Sequence, residues 1–424
     1  MEGGDGARAS ALEGGDGDRA SALEGGRGRD AASEGGRRRR RLWLRRSRRW
    51  EEAALEKKSR GEGNREARAG VWLLVRDCVM LIPSYLLRKP PFFASTLPCL
   101  YFLLGFKFSF ISYNILAQVY VKSSYFPHSP SSCLKWKARS ESALTDLKNL
   151  NADFFCIQEL DEYNSFYKSK METLGYSSLY IKRVGKKRDG CGIFYKPSSA
   201  QLLEMEEIDY NDLANCVNTV SAIRNNKVLD LEEKDAQIQD SEKQQSNDPL
   251  VRLKRDCVGL LAAFKLNDPS GHIIVVADTH IYWDPNWIDV KLAQAKYLLS
   301  RLSQFKELVS TKFTCTPSVL VAGDFNSTPG DEVYQYIVST SEAAPIKLSS
   351  LYATNGGEPP FTNCTPDFTG TLDYIFFSDC RLKPVSLLEV PGRDSPDIVG
   401  GLPNYHHPSD HLPIGAEFLV LHSS

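Results

Sequence analysis

The chain has 424 residues, 42% of them hydrophobic and 25% charged, with a formal net charge of −1. That balance excludes an overall basic coat that would hold nucleic acid non-specifically, and the apolar share is enough for a full core, whether in one large α/β domain or in two or three smaller ones. Ten cysteines are spread singly, without a C-x-x-C pair or a Cys/His ligand spacing, which argues against a disulfide framework and against structural zinc. Cys156, Cys191 and Cys257 lie in or beside apolar runs and read as reduced core thiols of an intracellular protein.

Residues 1–36 are low complexity: Glu-Gly-Gly-Asp-Gly-x-Arg-Ala-Ser-Ala-Leu starts at Glu2 and again at Glu13, and a third copy begins at Glu24. Lacking aromatic and β-branched residues, this stretch reads as disordered. The arginine-rich run at 37–49 reads equally as a nuclear-import or RNA-affinity tail and as a charged part of that leader. Glu2, Asp5, Glu13 and Asp16 count against a mitochondrial presequence. Between 71 and 106 two apolar runs are each shorter than the about 20 residues of a membrane-spanning helix, and Pro90, Pro91 and Pro98 interrupt them. This part reads as a partly ordered or docked leader with no transmembrane span. The organisation predicted is thus a leader over 1–106 and a main domain over 107–424, with an exposed polar insertion at about 225–249.

In the main domain, Phe108–Leu116 alternates as a strand that puts Phe108, Phe110, Ser112 and Asn114 on one face. Helical spacing follows over Trp136–Leu150, then a strand over Ala152–Ile157 that ends in Gln158-Glu159. On the alternation of Phe155, Ile157 and Glu159, the glutamate shares their face. A helix is predicted over Tyr163–Leu174 and a strand over Gly190–Tyr195. Further strands are predicted over Val258–Leu266 and Ile273–Ala277, the second leading into Asp278-Thr279-His280, then a helix over Val290–Leu308. Ser318–Ala322 is a short buried strand, followed by Gly323, Asp324 and Asn326. If the chain stays extended there, Asp324 and Asn326 leave on the same side. A helix over Asp331–Ser339 and strands over Leu372–Phe377 and Ile414–Val420 complete a mixed α/β pattern.

Polar groups stand at the edges of these runs: Asn114, Glu159, Asp278 and His280, Asp324 and Asn326, Asp373, and Asp410 and His411. Any one of them alone is an ordinary strand end. Together they gather carboxylates and amides, which suit Mg²⁺, an ion that favours oxygen and is shared with a substrate phosphate.

The motifs SYNILA (112–117), QE (158–159), THIYWDP (279–285), GDFNSTP (323–329), LDYIF (372–376) and SDH (409–411) occur in this order. In them the chain resembles the endonuclease/exonuclease/phosphatase superfamily. Trp136-Lys-Ala-Arg139 and WDPNWIDVKLAQ (283–294) resemble its deadenylase branch, the carbon catabolite repressor type and nocturnin. The resemblance spans about 107–420 and implies a four-layer α/β sandwich, two packed mixed sheets flanked by helices, with the site at one end of the sheets. It implies that Glu159 binds Mg²⁺, with Asn114 and Asp410 near the metal. Asp324 activates the water and Asn326 holds it. His411, steered by Asp373, donates to the phosphoryl group, and His280 contacts the phosphate from the other side. Pro285 and Phe368 sandwich an adenine base. Where this pattern usually has Asn-Thr-His, this chain has Asp278, whose carboxylate is expected either to repel phosphate or to add metal affinity.

The activity so implied is a Mg²⁺-dependent 3′–5′ exoribonuclease that shortens mRNA poly(A) tails and releases AMP. Its partners are RNA and deadenylation-complex proteins, although no leucine-rich repeats precede residue 107 for scaffold docking. Its location is cytoplasmic, with a nuclear fraction if the arginine run is an import signal. The alternative on the same fold is a nocturnin-like 2′-phosphatase acting on NADP(H) or a related small nucleotide. The basic stretch Lys182, Arg183, Lys186, Lys187 and Arg188 suits either substrate or is simply an exposed loop. A third reading, a binding module without catalysis, is disfavoured because the motif positions other than 278 carry chemically competent residues.

Overall fold

The apolar runs of the main domain form two six-stranded sheets that face each other in a computed structural model. It describes residues 70–75, 78–83, 105–215, 248–341, 344–378 and 381–421. The predicted insertion lies outside the described residues except for its last two positions. So does the leader, apart from Gly105, Phe106 and an antiparallel hairpin of β1 (Gly70–Val75) and β2 (Cys78–Pro83). This hairpin belongs to a separate compact unit ending at Pro90.

The main domain runs through β3 (Phe106–Asn114), α1 (Trp136–Leu150), β4 (Phe154–Gln158), α2 (Lys168–Thr173), β5 (Ser177–Lys182), β6 (Gly190–Tyr195) and β7 (Ala200–Asp209). It continues through α3 (Pro249–Arg252), β8 (Val258–Leu266), β9 (Ile273–His280), α4 (Ile288–Phe313), β10 (Ser318–Asp324) and α5 (Glu332–Ile337). It ends with β11 (Ser349–Ser350), β12 (Asn363–Cys364), β13 (Thr369–Gly370), β14 (Asp373–Phe377), β15 (Leu382–Leu387) and β16 (Ile414–Val420). One sheet has the order β11-β14-β10-β9-β8-β7 and the other β15-β16-β3-β4-β6-β5, while β12 and β13 form a small ribbon.

Alternation assigns the faces. Phe108, Phe110, Phe154 and Cys156 point between the sheets and meet Leu260, Phe264, Val276, Leu320 and Ile375 from the other sheet. The intervening residues Tyr113, Phe155 and Ile157 pack outward under Ala143 and Leu147 of α1. On the opposite outer face, Leu298, Leu302 and Phe305 of α4 cover Val275, Val319 and Val321. Helix, sheet, sheet and helix therefore stack in the expected four layers.

Each sheet contains one parallel pair, β3 with β4 and β9 with β10. In each case a helix, α1 or α4, makes the crossover, as a parallel connection requires. The carboxyl ends of these four strands meet at one end of the sandwich, and there the polar motif residues collect.

Within the two sheets, the strands that sequence alone did not mark are β5, β7, β11 and β15, their four edges. Edge strands carry a weak apolar signal because they need not be buried on both faces. β7 reads AQLLEMEEID and is half-exposed over most of its length, and β15 carries Pro384 beside a register irregularity. The predicted helix over Tyr163–Leu174 divides into a π turn, Tyr163–Tyr167, followed by α2.

Candidate active site

Asp324 stands at the centre, at the carboxyl end of β10, paired in register with His280 of β9 and Asp373 of β14. The strand before it must run very close to its neighbour. Gly323 has φ 152°, and a Cβ there would lie 2.0 Å from the Thr279 carbonyl oxygen, so only glycine fits.

Beyond Asp324 the chain turns rather than staying extended. Asn326 takes φ 45°, its N–H donates to Asp324 Oδ1 at 2.9 Å, and its side-chain amide donates to the Ile281 carbonyl at 3.1 Å. The expectation of two side chains leaving one face of an extended strand is corrected to an Asx-type turn, which asparagine tolerates in the left-handed region. The buried Lys291 of α4 holds that turn by donating to the Asn326 carbonyl at 2.7 Å.

Glu159 also departs from the alternation read from the sequence. β4 ends at Gln158, and φ 54° at Glu159 takes its carboxylate away from the outward face of Phe155 and Ile157. It turns toward Asn114, whose amide donates to Glu159 Oε1 at 3.1 Å and to Asp324 Oδ2 at 3.0 Å. The Asn114 oxygen accepts the Leu116 N–H, itself at φ 59°. With this amide orientation Asn114 bridges two carboxylates from the ends of two sheets and has its oxygen already engaged. Three non-glycine residues in the left-handed region, Leu116, Glu159 and Asn326, thus surround the centre, the kind of local strain that concentrates at functional sites.

The histidines flank Asp324. His280 Nε2 is 3.5 Å and His411 Nε2 3.6 Å from Asp324 Oδ2. His411 Nδ1 lies 2.7 Å from Asp373 Oδ2, which also accepts the Thr362 hydroxyl at 2.6 Å. Burial alone would push the His411 pKa down, but Asp373 and Asp324 outweigh it and hold the ring well above its ordinary value, as an imidazolium. His280 goes the other way: burial and the positive charges of Arg183 and His411 hold it neutral. Asp324 is pushed up to about 6 by burial and by Asp373, against the pull of His411. One carboxylate near neutrality, one imidazolium and one neutral imidazole can divide proton transfer among them.

The SDH loop is docked on the end of β3. Ser409 Oγ donates to the Asn114 carbonyl at 2.7 Å, and Asn363 of β12 donates to Asp410 Oδ2 at 3.2 Å. Arg139 of α1 ties the same parts together from behind. Its buried guanidinium donates to the carbonyls of Ile115, Leu116 and Pro408 and to Gln118 Oε1. Lys291, Arg139, Thr362 and Asn363 had no assigned role in the sequence reading. The first two lie within motifs quoted from it, but on helices where a polar residue is ordinarily solvated.

Two sequence expectations change. Asp278 does not join the cluster: it is fully buried between the sheets, where Gln158 donates to its Oδ1 at 2.7 Å and burial raises its pKa well above the carboxylate range. A neutral acid there neither repels phosphate nor adds to a metal site. Arg183 is not a free surface cation, since it is buried and paired with Asp189 at 2.9 Å. Pro285 and Phe368, the pair that the resemblance assigns to the base, stand on separate exposed loops after β9 and before β13, with Phe368 41% exposed.

The donor set fits a hard cation at Glu159. Burial, together with the like charges of Asp189 and Asp410, pushes that carboxyl up to about 7, and Asp410 Oδ1 is buried without a hydrogen-bond partner. A cation would relieve both. Asp324, Asp373 and His411 also place ligand atoms within 4.8 Å of one another. There, however, His411 holds its protons for two carboxylates, and an imidazolium offers a metal no lone pair. The two groups thus differ in chemistry: Glu159 and Asp410 offer buried oxygens that suit a cation, and Asp324, Asp373 and His411 form an ion-paired acid–base set.

Comparison with known proteins follows the same residues. The sequence model of the endonuclease/exonuclease/phosphatase family matches residues 111–411. The chain is 60% identical over 329 residues to carbon catabolite repressor protein 4 homolog 4 of Arabidopsis thaliana, covering 74% of this chain and 78% of that protein. It is 30% identical to the CCR4-Not complex 3′-5′-exoribonuclease subunit Ccr4 of Phaeosphaeria nodorum, covering 73% of this chain but only 59% of that one. Among solved structures it is similar to ANGEL2, a 2′,3′-cyclic phosphatase, with TM-score 0.58 and 26% identity, covering 74% of this chain and 96% of that chain. The catalytic domain of human nocturnin shares the fold, with TM-score 0.52 and 23% identity over 74% of this chain and 93% of its own.

Proposed function

Because the chain belongs to the endonuclease/exonuclease/phosphatase family, we propose that it is a Mg²⁺-dependent 3′–5′ exoribonuclease that removes AMP from poly(A). The similarity to the Phaeosphaeria exoribonuclease subunit supports the reaction class. The observation that carries the reading is the arrangement around Asp324, which sits between an imidazolium and a neutral imidazole and shares Asn114 with Glu159.

In this reading Glu159 would hold the metal, with Asp410 beside it, and Mg²⁺ would supply Lewis-acid stabilisation of the charge that builds on the phosphoryl group. Asp324 takes the proton of the attacking water, which Asn326 helps to place. His411, kept protonated by Asp373, donates toward the oxygen on which charge builds. His280 offers a neutral donor from the opposite side. Pro285 and Phe368 bracket the terminal base, and stacking there contributes about 1–3 kcal/mol without selecting among purines. RNA is the partner. Association with deadenylation-complex proteins and a cytoplasmic location, with a nuclear fraction set by the arginine run, follow from the same reading.

The similarity to a 2′,3′-cyclic phosphatase favours one second reading, a phosphatase on the same fold, for which NADP(H) is the small nucleotide we would test. Incubating the protein with oligo(A) and with NADPH, each in Mg²⁺ and in EDTA, separates the two. Release of AMP from oligo(A) in Mg²⁺ alone is expected. Release of inorganic phosphate from NADPH with intact oligo(A) would replace the nuclease reading by the phosphatase one.

A further inference from the structure

A cavity of about 590 Å³ opens on the β5–β6 flank of the main domain, where the proposed chemistry places nothing. Its walls are the turn at Gln118–Tyr120, the turn at Asp161–Ser165 and the basic loop after β5. Both turns are extensions of the active centre. The Ala117 N–H donates to Glu159 Oε2 at 2.9 Å and the Gln118 N–H to Asp161 Oδ2 at 2.6 Å, so the cavity shares a rim with Glu159.

We infer that this cavity is a subsite for the nucleotides upstream of the scissile phosphate, with Lys182 and Arg188 taking backbone phosphates. This rests on the exoribonuclease reading and extends it to the length of the substrate. The chemistry lining the cavity is that of a single-stranded nucleic-acid groove. Lys182 and Arg188 are exposed cations, and Gln118 and Asn164 supply amides. Tyr180 is stacked on Tyr163 with ring centroids 4.2 Å apart, forming a preformed aromatic wall. The lining also holds two acids, Asp161, which accepts the Gln118 N–H, and Glu162, which accepts the Ser165 hydroxyl. Lys187 extends the positive edge toward the centre, its ammonium 5.6 Å from the Tyr120 ring and near enough to His280 to act on its charge state.

The strand order gives the path a direction. Phe368 precedes β14 on one side of β10, whereas the cavity lies by β5, at the far edge of the other sheet beyond β4 and β6. A chain whose terminal base lies at Phe368 crosses Asp324 and Glu159 and leaves over the cavity. A mononucleotide or NADP(H) occupies only the first part of that path. The size, within the about 300–1,000 Å³ of ligand sites, suits one nucleotide or two.

The test is binding of fluorescein-labelled A12 to the full chain in EDTA, followed by anisotropy over a range of KCl, for the wild type and the Lys182→Ala/Arg188→Ala variant. Loss of two phosphate contacts is expected to weaken binding at least about tenfold at low salt. It should also make the salt dependence of log K shallower by about 1.4, since each contact on a single strand contributes about 0.7. A matching thermal melt keeps the comparison between folded proteins. An unchanged slope, in a protein that releases AMP from the same oligonucleotide in Mg²⁺, overturns the subsite alone. The predicted change of slope without AMP release would sustain the subsite and overturn the nuclease reading. A wild type that does not bind A12 overturns the subsite, and one that also releases no AMP in Mg²⁺ overturns both.

Discussion

Glu159 carries an electrostatic cost at the centre. Its carboxyl is raised to about 7 by burial, Asp189 and Asp410. A raised carboxyl means that the folded protein binds the proton more tightly than the unfolded one. Metal-free stability therefore falls as pH rises from the ordinary carboxylate range, about 4.3, through about 7. Glu159→Gln removes the charge and its cost. In EDTA at pH 8 its Tm is expected to exceed that of the wild type, with the difference vanishing near pH 4. Added Mg²⁺ should raise the Tm of the wild type and leave the variant unmoved, since only the former binds it in the folded state. Turnover of the variant should drop by about 10³-fold or more, the loss of several kcal/mol of metal stabilisation. Equal melting temperatures across pH, or wild-type turnover, would remove Glu159 from the metal position. The glutamate itself was legible in the sequence as the acid that ends a strand. Its orientation was not, because a left-handed φ at a non-glycine residue leaves no mark in an alternation pattern.

At the scale of elements, the two parallel crossovers set the carboxyl ends of β3, β4, β9 and β10 against one another, and the fit of β9 to β10 depends on Gly323. Gly323→Ala places a Cβ 2.0 Å from the Thr279 carbonyl, a backbone atom that yields only if the strands part. The variant should lose at least about 5 °C in Tm. Its loss of turnover should far exceed the fraction unfolded, because His280 and Asp324 sit on the two strands forced apart. A fully active, equally stable Gly323→Ala protein would show that this register is not needed. The central strands of both sheets were readable from their apolar runs. The four edge strands were not: β7 spends its sequence on glutamates and β15 on Pro384, as strands without a second partner can. Lys291 and Arg139 escaped for a related reason. Charge on a helix usually means solvent, and only the tertiary fold shows that these two cations are buried against carbonyls.

For the whole molecule, the six motifs announced the sandwich because each marks a strand end or loop that must reach the same place. The base-binding role of Pro285 and Phe368 stays a proposal, since both rings stand on exposed loops. Residues 1–69 and all but the last two positions of the polar insertion lie outside the described structure, and the two-unit organisation of leader and catalytic domain is likewise proposed from composition. The account rests on one reaction, and the identity of its products tests it most directly. Oligo(A) of twenty nucleotides carrying a 5′ label, incubated with Mg²⁺ in ¹⁸O-water, should give a ladder shortened one nucleotide at a time from the 3′ end. Mass spectrometry should find the accompanying product to be 5′-AMP with a single solvent oxygen in its phosphate, and EDTA should abolish it. Adenosine 3′-phosphate, shortening from the 5′ end, or an intact oligonucleotide in the presence of Mg²⁺ would contradict the assignment.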